Sequence, residues 1–271
     1  ILDLYRKKPW GYTLFYYIAA LNRCHPDYVS FLMNKRTLSV SSVNEILQQI
    51  PEEKKLGKDM KMIEALYLEY QKQSCEDAEV LAQLRQMLDG KNVLMVGPGR
   101  SVQAEESLIQ AYIDREHSVV IPVNQIPEAF PASIIFLTNS RRYLQMSNKL
   151  HSAENREIPI IATSNVRLTD AENAKYVNYA SLIDESSEFP DNSMMMLVRL
   201  LCKVGVKQVA LAGFDGYTAD NVNFYDANME YSFIKEKADS LNESGRAFFD
   251  SVKDQIKIFF VTTSNYIGGK Q

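Results

Sequence analysis

The sequence predicts an α/β fold: a mostly parallel sheet with helices on both faces, preceded by a small all-helical region. Two observations carry that prediction. Continuous apolar runs at 93–96, 119–123, 134–137, 158–162, 209–212 and 258–261 fit strands buried on both faces. Helical patterns at 102–115, 141–151, 193–204 and 229–251 alternate with them, which is how a parallel, doubly covered, Rossmann-like sheet is written. No strand-like run occurs in the first 75 residues, so the chain divides into a helical region, 1–75, and an α/β region, 76–271.

Taken in order, Leu14, Tyr17, Ile18 and Leu21 recur at helical spacing and predict one buried face. Pro26 marks a segment boundary. Ser39 to Glu45 reads as a helix start, with Ser42 and Glu45 spaced as a capping box. Residues 52–59 are charged and predict a solvated loop. Ile63, Leu66, Tyr67 and Tyr70 predict another apolar helix face. The linker falls near 72–77, followed by an amphipathic helix over 76–88 that closes at Asp89-Gly90, where glycine takes a left-handed cap. Three consecutive methionines, Met194 to Met196, read as core filling after the capping residues Asp191-Asn192-Ser193.

Composition narrows the function. With 46% hydrophobic and 24% charged residues the chain is an ordinary globular one, and a net charge of −4 gives no general case for nucleic acid. Cys24, Cys75 and Cys202 are widely spaced and show no paired motif, which fits reduced thiols and a cytoplasmic location. The apolar stretch 14–21 is far short of the ~20 residues that a membrane span needs, so no membrane partner is expected. No secretory leader is visible. The chain opens at Ile1 inside sequence that already reads as structured, which suggests a piece of a longer protein.

Every apolar run stops at a small polar cluster, and in open parallel sheets ligands bind outside those carboxyl ends. The first run ends at Gly97-Pro98-Gly99-Arg100-Ser101. A strand, a glycine turn and a helix place backbone N–H groups where phosphate binds, or else Gly97 and Gly99 only make a tight β-to-α turn. The third small residue of a dinucleotide turn is replaced by Val102, the second strand ends in Asn124-Gln125 instead of an acid, and no P-loop lysine follows. Phosphate or a mononucleotide is therefore the expected ligand. Asn124, Asn139 and Asn165 stand at further strand ends and offer donors and acceptors to a base or sugar, or else cap the turns that follow. Arg141 and Arg142 open a helix where they can meet an anion, or else they form a solvated surface pair. Gly213-Phe214-Asp215-Gly216-Tyr217 adds a carboxylate for a ribose or a divalent ion such as Mg2+, though one carboxylate defines no metal site. Asn223-Phe224-Tyr225 reads as a lid or stacking wall, and His25, His117 and His151 read as structural.

Two resemblances follow from these residues. The stretch Trp10-Gly11-Tyr12 through Tyr16-Tyr17-Ile18-Ala19-Ala20-Leu21-Asn22-Arg23-Cys24-His25-Pro26-Asp27-Tyr28-Val29, within residues 1–72, resembles the segment after the catalytic barrel of 4-hydroxy-2-oxovalerate aldolase-like proteins of the HMG-CoA lyase-like superfamily. The barrel's metal and arginine motif is missing here, and 271 residues cannot hold a barrel of ~250 besides both regions. The resemblance thus implies a lyase's C-terminal part, with that barrel as partner and self-association left open. Residues 90–266, through Val96-Gly97-Pro98-Gly99-Arg100-Ser101, Asn124 and Leu211-Ala212-Gly213-Phe214-Asp215-Gly216-Tyr217, look like the nucleotide-binding cores of bacterial sialyltransferases and of the 6-hydroxymethylpterin diphosphokinase-like family. Pro98 before the second glycine and Arg100 before Ser101 depart from the sialyltransferase pattern. Three readings remain: a domain binding a nucleotide or phosphorylated metabolite, a glycosyl or phosphoryl transferase with Asp215, Asp191 or Tyr225 as acid or base, and a non-catalytic regulatory or assembly module.

Overall fold

The computed structural model describes residues 10–166, 168, 171, 173–220 and 222–267. The chain forms two compact units, 1–75 and 76–271.

The first unit is helical: α1 (Trp10–Leu21), α2 (Pro26–Ser30) running into a π-helical turn (Phe31–Lys35), α3 (Val40–Gln48) and α4 (Met60–Gln73). Its core is Ile18, Tyr28, Val29, Leu32, Val43, Ile46, Leu47, Ile63 and Tyr67, all buried. Two expectations are corrected. The buried face of α1 is Phe15, Ile18 and Ala19, while Leu14, Tyr17 and Leu21 are exposed, because spacing alone does not say which of two adjacent apolar stripes meets the core. The α3 cap is Ser39, whose Oγ accepts from Ser42 N at 3.3 Å, so the helix starts one turn before the expected Ser42. Ser42 instead takes the Tyr70 hydroxyl of α4 at 2.8 Å. Across residues 52–59, Lys55 pairs with Glu52, Lys58 with Asp27 and Lys54 with Asp59, as a charged surface loop does.

The second unit is α/β. It runs α5 (Ala78–Leu88), β1 (Val93–Val96), α6 (Ser101–Ala104), α7 (Glu106–Glu116), β2 (Val119–Pro122), β3 (Ile135–Leu137), α8 (Ser140–Leu150), β4 (Ile160–Thr163), β5 (Ala174–Val177), α9 (Ser193–Lys203), β6 (Gln208–Ala212), α10 (Ile234–Val252) and β7 (Lys257–Phe260). Two parallel sheets, β2-β1-β6-β7 and β3-β4-β5, are joined by a parallel bridge from Val123 to Phe136 and by Asn124 N donating to Phe136 O at 2.9 Å. The strands therefore follow one another as β5-β4-β3-β2-β1-β6-β7. Chain order grows outward from β1 to β5, then returns to the other side of β1, and that reversal makes the β1/β6 boundary the switch point.

Alternation along the strands sorts the faces. Leu94, Val96, Val120, Ala210 and Ala212 pack with Val102 and Ile109 of α6 and α7, and Ile135, Leu137, Ile160 and Ala162 pack with Tyr143, Met146 and Leu150 of α8. From the opposite face Ile121, Phe136 and Ile161 meet Leu84 and Leu88 of α5 and Leu197, Leu200 and Leu201 of α9 around a small apolar cavity. Helix α10 covers β7 through an edge-on contact of Phe249 with Phe260. The sequence pattern misses β5, an edge strand whose Ala174, Lys175 and Tyr176 are not fully buried and so leave no apolar run. It also reads one helix over 102–115 where the structure breaks at Glu105, whose carboxylate takes the Thr263 N–H at 3.2 Å.

Candidate functional site

At the switch point the two glycine turns close on each other. Gly97 N donates to Ala212 O and Gly99 N to Gly213 O, each at 2.8 Å. Ser101 N donates to Asp215 Oδ2 at 2.9 Å, Ser101 Oγ donates to Asp215 Oδ1, and Arg100 N also reaches that carboxylate. Pro98 has no N–H. Every backbone donor of the turn is thus engaged inside the protein, and α6 behind it is only four residues long. The glycines are there for contact: a Cβ on Gly97 would stand 2.5 Å from Gly213 O, and one on Gly99 would stand 2.5 Å from Asp215 Oδ1. Thr262 completes the closure, its Oγ1 accepting from Gly213 N at 3.0 Å and lying 2.9 Å from Ser101 Oγ. What the Gly97 to Ser101 turn presents outward is the exposed Arg100 side chain.

Asp215 is the internal anion of this closure. Burial pushes its carboxyl above the usual range, with the nearby Glu105 charge adding to the rise and the Ser101 and Arg100 donors opposing it. It faces protein donors, in the place where the sequence suggests a ribose hydroxyl or a cation. Tyr225, another acid–base candidate, has its phenol pushed up to about 12 by burial and by the Asp226 charge. Asp191 is exposed and accepts from Tyr179 OH at 3.1 Å.

The ends of β2, β3 and β4 form a second, different cluster. Asn124 sits at φ 55°, a left-handed conformation that asparagine tolerates better than most residues. Its Oδ1 accepts from Thr138 N at 2.9 Å, and its Nδ2 donates to Thr138 Oγ1 at 3.0 Å and to Ser193 Oγ at 2.8 Å. The two hydroxyls lie 2.7 Å apart. Each already accepts from Asn124, and one proton fills the space between them. One O–H of the pair is left over for another acceptor. Gln125 Nε2 donates to Val96 O at 3.1 Å and to Gly97 O, while Asn165 Nδ2 reaches Thr138 O at 3.3 Å and its Oδ1 accepts from Thr163 Oγ1 at 2.6 Å.

The segment after β6 lies along this edge. Phe224 bridges Gly99, and Tyr225 N donates to Pro98 O at 3.1 Å. Glu230 holds the segment's fold by accepting from Asn223 N at 2.5 Å and Phe224 N at 3.1 Å. Arg142 is buried and donates to Met229 O, with its guanidinium 4.8 Å from the Tyr231 ring, so it acts as a clamp on the segment. Arg141 is exposed, 5.8 Å over the same ring, and Asn139 caps α8 by accepting from Arg141 N at 2.9 Å while its Nδ2 reaches Tyr231 OH at 3.3 Å. Neither Arg100 nor Arg141 has a carboxylate partner among the described residues. Arg100 lies beyond the end of β1 and Arg141 beyond the end of β3, two strands that stand two strand spacings, about 10 Å, apart.

The fold therefore separates residues that the sequence groups together. Gly97, Pro98, Gly99, Ser101, Gly213 and Asp215 gather at the closed switch point. Asn124, Asn139, Arg141 and Asn165 gather on the β2–β4 side, while the exposed Arg100 has its backbone N–H at the switch point. Thr138, Gln125 and Thr262 lie in polar strand ends that the sequence marks, whereas Ser193, which the sequence reads as a helix cap, joins the cluster only through the fold. The histidines do local work: His25 Nδ1 accepts from Asp27 N at 3.1 Å, His117 ends α7 at φ 47°, and His151 Nδ1 bonds Ser147 O at 2.7 Å. Among the described residues no three His, Cys, Asp or Glu side chains gather as a metal site, and no helix is long and apolar enough to cross a membrane. Residues 1–9 of the aldolase-like stretch lie outside the described residues. No protein-family model, curated protein or solved structure matches this chain.

Proposed function

We propose that residues 76–271 bind a nucleotide or phosphorylated metabolite on the β2–β4 side of the sheet's carboxyl edge, with Arg141 and Arg100 on the phosphate and the Asn124–Thr138–Ser193 cluster beneath the base or sugar. The observation that carries this reading is a pair of exposed arginines without carboxylate partners among the described residues, one after β1 and one after β3, on an edge that also holds an incompletely satisfied polar cluster, where such sheets take ligands. The glycine turn has a supporting part: it locks β1 to β6 and projects Arg100.

The reading is one of binding, as in a regulatory or channelling module, in preference to glycosyl or phosphoryl transfer. Asp215 is engaged by three protein donors and Tyr225 is held far from ionisation at neutral pH, so neither suits general base work. The resemblance of residues 10–29 supports placing residues 1–75 after the barrel of an aldolase-like lyase.

A thermal-shift panel with CMP, CDP, GDP, AMP, NAD and inorganic phosphate tests the reading. A ligand at 100 times its Kd stabilises by about 2.7 kcal/mol. A shift with a mononucleotide or phosphate is the expected outcome, and a panel that leaves the unfolding temperature unmoved refutes it.

A further inference from the structure

At the paired ends of β1 and β2 the carboxamide of Gln125 is half used. Its Nε2 donates to Val96 O at 3.1 Å and to Gly97 O, and turning the amide over would set an oxygen against two carbonyls, so its orientation is settled by its neighbours. Its Oε1 has no donor among the described residues, although the residue is only 1% exposed. Folded proteins seldom leave a buried acceptor idle, because it has lost its water and gained nothing in return. Asn124, one residue earlier, shows the contrast: both ends of its carboxamide are bonded.

We propose that Gln125 Oε1 is the acceptor that selects the ligand, taking an N–H from the exocyclic amino group of a nucleobase. A base carrying oxygen at that position would set acceptor against acceptor at a carboxamide that is only 1% exposed. The site is thus specific for amino-bearing bases over their keto counterparts. Ligand entry displaces the segment held over the neighbouring turn by Tyr225 N and Pro98 O. This inference rests on the nucleotide reading above, and it adds the side chain that discriminates and the chemical group it reads.

Calorimetric titration with two pairs, CMP against UMP and AMP against IMP, tests it on wild type and Gln125→Met. In the pair that binds, the amino member is expected to bind about tenfold tighter or better, since the keto member leaves a buried acceptor unpaired. That ratio is expected to fall towards one in Gln125→Met. A merely structural Gln125 would lower the unfolding temperature, through the lost bond to Gly97 O, and leave the ratio unchanged. As a check that needs no variant, the N,N-dimethylated amino nucleotide has no N–H and should bind no better than its keto counterpart. Equal affinities within both pairs, or a preference that survives dimethylation, overturn the inference and leave the nucleotide reading standing. No binding by any of the four overturns the nucleotide reading itself.

Discussion

Replacing Gly213 by alanine tests whether the switch point is closed by the protein's own backbone. Gly213 has φ 70°, and a Cβ there would stand 3.0 Å from the Gly97 carbonyl carbon and closer still to Gly97 O and Val102 Cγ2. Two costs combine. A left-handed alanine loses about 1–2 kcal/mol, and forcing a methyl group into a packed contact adds about 1–3 kcal/mol. The expected loss is roughly 2–5 kcal/mol in urea denaturation. Gly205 supplies the control, with φ 88° and nothing within 4 Å of the methyl that alanine would add, so Gly205→Ala should lose only the conformational part. The two variants should differ by about 1–3 kcal/mol, which is the contact alone. Equal losses would refute the closure and reopen the β1/β6 crevice as a ligand site.

Asn124 offers a sharper sign. Asn124→Ala removes a carboxamide that serves Thr138 and Ser193 and leaves φ 55° on a residue with a Cβ, for an expected loss of about 2–4 kcal/mol. Asn124→Gly, though smaller, should be less damaging by about 1 kcal/mol, because glycine accepts that backbone freely; a glycine variant less stable than alanine in urea would contradict the assignment. For Asp215 the folded carboxyl titrates above its ordinary 3.8, so its contribution to stability is full below that value and is lost as pH rises through the raised one. The stability of wild type relative to Asp215→Asn should therefore decline from pH 3.5 to 7, and a relative stability that rises over that range would contradict the burial of the carboxylate.

The legible part of the fold is the part with an unmistakable period. Strands β1, β2, β3, β4 and β6 are largely buried and read as continuous apolar runs. Strand β7 reads as one although its residues are partly exposed at the sheet's edge, against the expected burial on both faces, and β5 is half exposed and silent. Helix α1 shows the limit of periodicity, since Leu14, Tyr17 and Leu21 recur at helical spacing and still face outward. The site is legible as an edge and illegible as a grouping. Polar strand ends name Gly97, Asn124, Asn139, Asn165 and Gly213 one at a time, but only the order β2-β1-β6 shows that the two glycine turns touch and that Asp215 uses the donors a phosphate would need. Arg141 and Arg142 look alike in sequence, yet one is exposed and the other is clamped on Met229 O. Helical phase decides that, and a single pair of adjacent residues does not reveal phase.

In the proposed function the anion is held by side chains on the β2–β4 edge and not by the glycine turn. Calorimetric titration of the tightest mononucleotide, and of inorganic phosphate, into wild type and Arg141→Ala tests it most directly. Arg141 is exposed and its guanidinium has no carboxylate partner among the described residues, so the variant should keep the wild-type urea midpoint. Affinity is expected to fall about tenfold or more, as befits the loss of a charge-assisted hydrogen bond. Undiminished affinity in Arg141→Ala would contradict it.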